Sequence, residues 1–264
     1  MTTTIDAFRS LHTAGTFVMP NPYDIGSARL LAALGFPAIA STSGGFAATL
    51  GRLDMTVTRD ELLAHVTVLA AATDLPLNVD SERCFAEDLP GVTETVELLA
   101  SAGAAGCSIE DWNPATKAID SLEVATQRVA AAAAGAARSG LLLTARCENH
   151  LHGIDDLDET ITRLRSYIAA GAEVAYAPGL RDVDQIATVV GAVGVPVNVL
   201  IRPDGPSVAE IAEAGGRRIS TGGWLARIAY GAMVAAAERL RDDGVVAADE
   251  PFLPGKLAAQ AFGN

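Results

Sequence analysis

The sequence predicts one α/β domain, a (β/α)8 TIM barrel with an additional C-terminal helical segment, and three observations predict it. Eight short apolar runs alternate with eight longer stretches of helical pattern, as expected of a parallel sheet wrapped by helices. Glycines close the helical stretches at Gly35, Gly103, Gly140, Gly171, Gly194 and Gly215, where a residue free to turn left-handed ends a helix. The length of 264 residues suits a single barrel, which typically needs about 250.

The first strand is read near 17–20 (FVMP) and is followed by a helix near 24–34. Pro37 precedes the second strand, 38–42 (AIAST), and Thr58 with Glu61 forms a capping box at the start of a helix over 58–72. Pro76 lies in the third strand segment, 75–80 (LPLNVD), ahead of a helix near 91–102. The fourth strand, 106–111 (GCSIED), leads to a helix over 121–138, and the fifth, 141–147 (LLLTARC), to one over 156–170. The sixth, 174–178 (VAYAP), precedes a helix at 182–192; the seventh, 196–201 (PVNVLI), opens on Pro196, where a missing N–H costs least. Ser207 and Glu210 cap a helix over 207–214, and the eighth strand, 217–222 (RRISTG), leads to a helix over 224–242. With no linker or charge block, residues 1–264 read as one domain. The stretch 245–264 is expected to pack on the barrel or to reach a neighbouring subunit.

Composition narrows the function classes. The formal net charge is −13 and no basic stripe exists, so nucleic acid is not an expected partner. Three cysteines, Cys84, Cys107 and Cys147, form no CxxC pair, which fits a reducing cytoplasm. The N-terminal stretch has no apolar signal core, and no run approaches the ~18–20 apolar residues of a membrane span. The expectation is a cytoplasmic protein that touches no membrane.

A barrel carries its chemistry at the C-terminal ends of its strands. The polar residues there are Ser41-Thr42-Ser43-Gly44-Gly45 after the second strand and Asp80-Ser81-Glu82-Arg83 after the third. Glu110-Asp111 end the fourth, Arg146-Cys147-Glu148-Asn149-His150 the fifth, and Asn198, Arg202 and Asp204 belong to the seventh. Acids on three successive strands would repel and raise one another's pKa, and a hard divalent cation relieves that. The competing reading has these acids capping helices or pairing with Arg83 and Arg146. The Ser-Thr-Ser-Gly-Gly turn offers hydroxyls and backbone N–H groups to a carboxylate. Arg146, in an apolar strand, needs an anionic partner, either a substrate carboxylate or a barrel acid. Ser41, Glu148, His150 and Asn198 are further candidates to contact substrate. His12 and His65 fall in helical stretches, and the strand cysteines read as buried packing thiols. No G-x-S-x-G, Walker loop or G-x-G-x-x-G occurs.

The runs AIASTSGGFAATLGRLDMT, LPLNVDSE, GAAGCSIED, LTAR and PVNVLIRPDGPSVAEIAEAGGRRISTGG together resemble the isocitrate lyase/phosphoenolpyruvate mutase superfamily over nearly the whole chain. The resemblance implies that Asp80, Glu82 and Glu110 hold Mg²⁺ (Mn²⁺ as a substitute), directly or through water. It implies that Ser43, Gly44 and Gly45 bind a substrate carboxylate, that Asp54 sits near the metal, and that Arg146 binds the carboxylate or steadies a developing enolate. The implied reaction forms or cleaves a C–C or C–P bond alpha to an enolisable keto or carboxylic acid. The implied assembly is a homodimer or homotetramer with an exchanged C-terminal helix.

The chain also departs from its relatives. The loop after strand four, Trp112-Asn113-Pro114-Ala115-Thr116-Lys117-Ala118-Ile119, lacks the cysteine that isocitrate and methylisocitrate lyases use as acid. Asn113 and Lys117 are the catalytic candidates on it, in an order and spacing unlike the phosphonate mutases. Arg83, Cys84 and Phe85 stand where glycines are usual, and Ala177-Pro178-Gly179 where the lyases place a glutamate. The alternative is a catalytically inactive barrel that binds a ligand or acts as a scaffold. A Schiff-base aldolase fits poorly, because the only lysines, Lys117 and Lys256, are not on strands.

Overall fold

The computed structural model describes residues 3–246 and 252–263. Eight parallel strands form the sheet: β1 (Phe17–Met19), β2 (Ile39–Ala40), β3 (Leu77–Asp80), β4 (Gly106–Glu110), β7 (Leu142–Arg146), β8 (Val174–Tyr176), β9 (Val197–Leu200) and β10 (Arg218–Ser220). Their spatial order is β1-β10-β9-β8-β7-β4-β3-β2. The Ala40 N–H donates to the Pro20 carbonyl at 3.0 Å, joining the two ends of that order. The predicted barrel is the fold, and each predicted strand and helix is present.

Strand alternation builds two cores. Leu77, Val79, Cys107, Ile109, Leu143 and Ala145 face outward and meet the helices in the larger apolar cluster. Phe17, Met19, Ala38, Ala40, Leu142 and Val174 face the barrel interior. The inner cluster is completed by Phe8 of α1 (Thr4–Leu11), a helix given no bounds in the sequence reading, which placed only His12 in a helical stretch; a Thr3–Asp6 capping box starts it.

Three other elements differ from expectation. The Ser-Thr-Ser-Gly-Gly turn opens α3 (Ser43–Thr49), with the Thr42 hydroxyl accepting from the Gly45 N–H at 3.3 Å. The loop after β4 is a small antiparallel hairpin, β5 (Trp112–Asn113) with β6 (Ala118–Ile119). Residues Asn149–His152 wind into one 3-10 turn.

The last helices leave the barrel wall. Of the 20 residues in α10 (Trp224–Asp243), only Ala226 is buried, while Ile228, Met233, Val234 and Leu240 are exposed. Helix α11 (Gly255–Phe262) returns to α2 (Ile25–Ala33), where the Gln260 amide donates to the Ala33 carbonyl at 3.0 Å. The extension expected over 245–264 therefore packs in part on its own barrel; its residues 247–251 and 264 lie outside the described residues. No helix among the described residues is long and apolar enough to cross a membrane.

Candidate active site

A cavity of about 960 Å³ opens at the C-terminal ends of the strands. Its walls include Ser41, Ser43, Gly44, Gly45, Asp54, Asp80, Arg146 and Asn198, eight of the residues singled out from sequence. Asn21, Tyr176 and Arg218 also line it and were not anticipated.

Arg146 organises the centre. It ends β7, where strand alternation turns its side chain inward, and its guanidinium meets three carboxylates. Nη1 donates to Asp80 Oδ1 at 2.7 Å, Nη2 lies 3.1 Å from Glu110 Oε2, and Nε donates to Glu148 Oε1 at 2.8 Å. Its ring neighbour is Tyr176, 5.4 Å from the guanidinium carbon. Burial alone would lower the arginine's pKa, but Glu110, Glu148 and Asp80 hold it well above the ordinary value.

Asp80 ties two strands to this centre. Its Oδ2 accepts the Ser43 N–H at 3.0 Å, and its own N–H donates to Ser41 Oγ at 2.9 Å. An added Cβ on Gly44 would lie 3.0 Å from Asp54 Oδ2, so the missing side chain lets Asp54 approach α3. Asn21 staples the opposite wall: its Oδ1 accepts from the Thr221 and Gly222 N–H groups, and its Nδ2 donates to the Ser41 carbonyl.

The acids outnumber the cation. Asp54, Asp80, Glu82, Glu110 and Glu148 surround one arginine. Burial, then Asp80 and Asp54, pushes the Glu82 carboxyl up to about 8. Burial raises Glu110 well above the usual carboxylate range despite Arg146, and raises Glu148 and Asp54 as well. Among the described residues no three His, Cys, Asp or Glu side chains already close into a metal cage. Asp80 and Glu110 are instead turned onto Arg146. A crowd of hard oxygen donors whose mutual repulsion favours protonation is nonetheless the donor set that a small divalent cation fits. Mg²⁺ commonly takes only one or two carboxylates, with water and substrate supplying the rest.

A second layer fixes the first. The Asp111 Oδ1 accepts the Glu148 N–H at 2.8 Å, and its Oδ2 accepts the Tyr167 hydroxyl at 2.6 Å. The loop carrying Glu82 is held from α6 (Leu122–Ser139): the Arg128 guanidinium donates to the carbonyls of Arg83, Ala86 and Glu87 at 2.6, 2.8 and 3.2 Å. This clamp matters because Glu82, Cys84 and Phe85 all adopt left-handed backbone, with φ of 50°, 61° and 57°.

Other expected residues are engaged elsewhere. The Asn113 side chain accepts from the Ala115 and Thr116 N–H groups and donates to Asp120, so it shapes the hairpin turn. Lys117, at φ 53°, is an exposed residue of the same turn. Neither lines the cavity. His150 is drawn away from it by contacts to Asp155 at 3.1 Å and Thr160 at 3.3 Å. Glu148 and Glu110 lie behind the cavity wall, against Arg146. Arg83 pairs with Asp120 at 2.7 Å and not with a strand-end acid, whereas Arg146 pairs with three of them, as the competing reading of the charges had it. The unanticipated Asn78, Ser108 and Tyr176 had a legible signal: Asn78 and Ser108 stand two residues before Asp80 and Glu110, so alternation sends them to the same interior.

A parallel barrel whose strand-end acids gather around Arg146 defines the class, a (β/α)8 enzyme. The phosphoenolpyruvate phosphomutase family profile matches residues 8–241, and the chain belongs to that family, within the phosphoenolpyruvate mutase/isocitrate lyase superfamily. A Burkholderia cenocepacia J2315 protein provisionally classed as a lyase/mutase superposes with a TM-score of 0.91 at 46% identity, over 96% of this chain and 94% of that one. An oxaloacetate decarboxylase of Bradyrhizobium sp. (strain ORS 278) is 30% identical over 203 residues, 73% of this chain and 69% of the relative. The structure of oxaloacetate acetylhydrolase with its product oxalate superposes with a TM-score of 0.87 at 27% identity, over 98% of this chain and 94% of that one.

Proposed function

We propose that this enzyme cleaves the bond between the α-carbon and the carboxylate of a small β-keto acid of the oxaloacetate type, releasing CO2 with Mg²⁺ as cofactor. The observation that carries this reading is the cavity wall itself: among the described residues it holds Arg146, Asp54 and Asp80 but no histidine, cysteine or lysine. Cleaving a hydroxy acid needs a base to take the hydroxyl proton and an acid to quench the carbanion. Loss of CO2 from a β-keto acid needs no base. The electrons of the breaking bond move toward the keto oxygen to give an enolate, and a proton is required only afterwards, at carbon, where water can deliver it. The similarity to an oxaloacetate decarboxylase supports the same choice.

Each residue then has a role. Asp80, Glu82 and Glu110 would hold Mg²⁺, directly or through water, and the ion would supply Lewis-acid polarisation of the substrate oxygens. Ser43, Gly44 and Gly45, at the start of α3, receive a substrate carboxylate, with Ser41 beside them. Arg146 carries positive charge into a water-poor site, where it offsets the negative charge that grows on the keto oxygen. Glu148, fixed by Asp111, keeps the guanidinium plane in place. Asp54 borders the site next to Gly44 and Ser43, and Asn198 lines the pocket below. Asn113 shapes the hairpin turn and His150 meets Asp155, while Lys117 is exposed on the same turn as Asn113.

The test is Mg²⁺-dependent consumption of oxaloacetate with equimolar pyruvate and CO2. Turnover should stop with EDTA and fall by at least about 10²-fold in Asp80→Ala, with the fold retained. Oxalate and acetate as products would replace decarboxylation by hydrolysis. No reaction with oxaloacetate, 2-methylisocitrate, dimethylmalate, phosphonopyruvate or phosphoenolpyruvate, together with no Mg²⁺ binding, would sink the reading. The exposed apolar residues of α10 support assembly with further copies of this chain as a homodimer or homotetramer.

A further inference from the structure

Below the Arg146 layer the cavity does not end on the branched aliphatic packing usual inside a barrel. It runs down to Asn78, Ser108, Asn198 and Arg218. Arg218 is 1% exposed, and every partner of its guanidinium among the described residues is neutral. Nε donates to Asn198 Oδ1 at 2.8 Å, Nη2 donates to Thr144 Oγ1 at 2.9 Å, and Nη1 lies 3.4 Å from His12 Nε2. Three contacts leave two of a guanidinium's five N–H groups unused. A buried cation with only neutral neighbours is costly unless a negative charge joins it.

Asn78 points to where that charge sits. It is 4% exposed, it lines the same cavity, and its Oδ1 has no hydrogen-bond partner. The two ends of an amide exchange by a flip, so the Asn78 side chain is free to turn its NH2 group inward. Ser108, on the neighbouring strand, spends its hydroxyl only on a 3.4 Å contact to the Val79 carbonyl. Three strands thus bring donors, one of them a full positive charge, to one buried floor.

We propose that this floor binds a small monovalent anion, with Arg218 as its counter-charge and Asn78 and Ser108 as further donors. The anion is either a free inorganic ion or a carboxylate of the substrate reaching past Arg146. The proposal does not rest on the reaction given above, because Arg218, Asn78 and Ser108 have no part in its bond-breaking step.

The experiment is a melting-temperature titration of the full chain with chloride, at ionic strength held constant with gluconate. The wild type should show a saturating rise, lost in Asn78→Leu, which keeps the shape and removes the amide. Arg218→Met should lose it too; if that variant does not fold, Asn78→Leu decides alone. A wild type that ignores chloride, or an undiminished response in Asn78→Leu, would overturn the proposal. The readout needs no turnover, so a wrong substrate leaves it intact. Malate binding, followed by calorimetry across the chloride series, then names the source. Competition means that a substrate carboxylate uses the floor. An unchanged malate affinity beside a persisting thermal shift means that a free ion owns it.

Discussion

At the scale of single residues, Arg146 carries the most. Its planar fork meets Asp80, Glu110 and Glu148 on different edges, which an ammonium on a flexible stem does not reproduce. Arg146→Lys should lower kcat/KM on the order of 10²-fold, about 2.7 kcal/mol of transition-state stabilisation, with circular dichroism unchanged. A rate within a factor of about two of wild type would remove Arg146 from its assigned role. The acids around it were legible because strand ends in a barrel converge whatever the loops do. The fate of Asn113, Lys117 and His150 was not. Their directions depend on a four-residue hairpin turn and a single 3-10 turn, which no periodicity announces. Arg218 was equally hidden: nothing in the sequence says that the partners of this arginine are all uncharged.

At the scale of elements, the eight strands and their helices were readable from alternation, glycine stops and capping boxes. Helix α3 was not, since Gly44 and Gly45 in its first turn are poor helix formers. Tertiary contact overrides that preference, through Asp80 accepting the Ser43 N–H. Helix α1 plugs the barrel, and His12 at its end makes the plug sensitive to acid. The Nδ1 of His12 lies 2.8 Å from the Phe8 carbonyl, and burial, then Arg218, pushes its pKa down to about 3 from an ordinary 6.5. Between those values the unfolded chain binds a proton that the folded chain refuses. Stability from this group is therefore full above about 6.5 and declines as pH falls towards 3. Urea midpoints should drop between about pH 7 and about pH 5, and His12→Gln should flatten that slope. An unaltered slope in the variant would assign the acid sensitivity to other groups.

At the scale of the whole molecule, α10 is the unfinished part. Ile228 is 49% exposed, Met233 59% and Val234 49%, on a helix that buries only Ala226. Such a row of apolar side chains marks an association surface. Light scattering should give a dimer or tetramer, and Met233→Glu should shift it to smaller species. A wild-type monomer at micromolar concentration would leave α10 without the assigned partner. The C-terminal extension was anticipated from sequence; its contact with α2 was not, because a short amphipathic segment carries no address for the groove it fills.

The loop that Arg128 clamps has a genetic consequence. Three residues without glycine's freedom sit in left-handed backbone there, at roughly 1–2 kcal/mol each, and a side chain from a different helix holds them. Arg128→Gln should therefore behave as a temperature-sensitive allele. It should be active in the cold and lose activity on warming while the barrel is still folded, as Glu82 swings away from Asp80. Suppressors of that lesion should fall at Cys84 and Phe85, and glycine is the replacement that removes the need for the clamp.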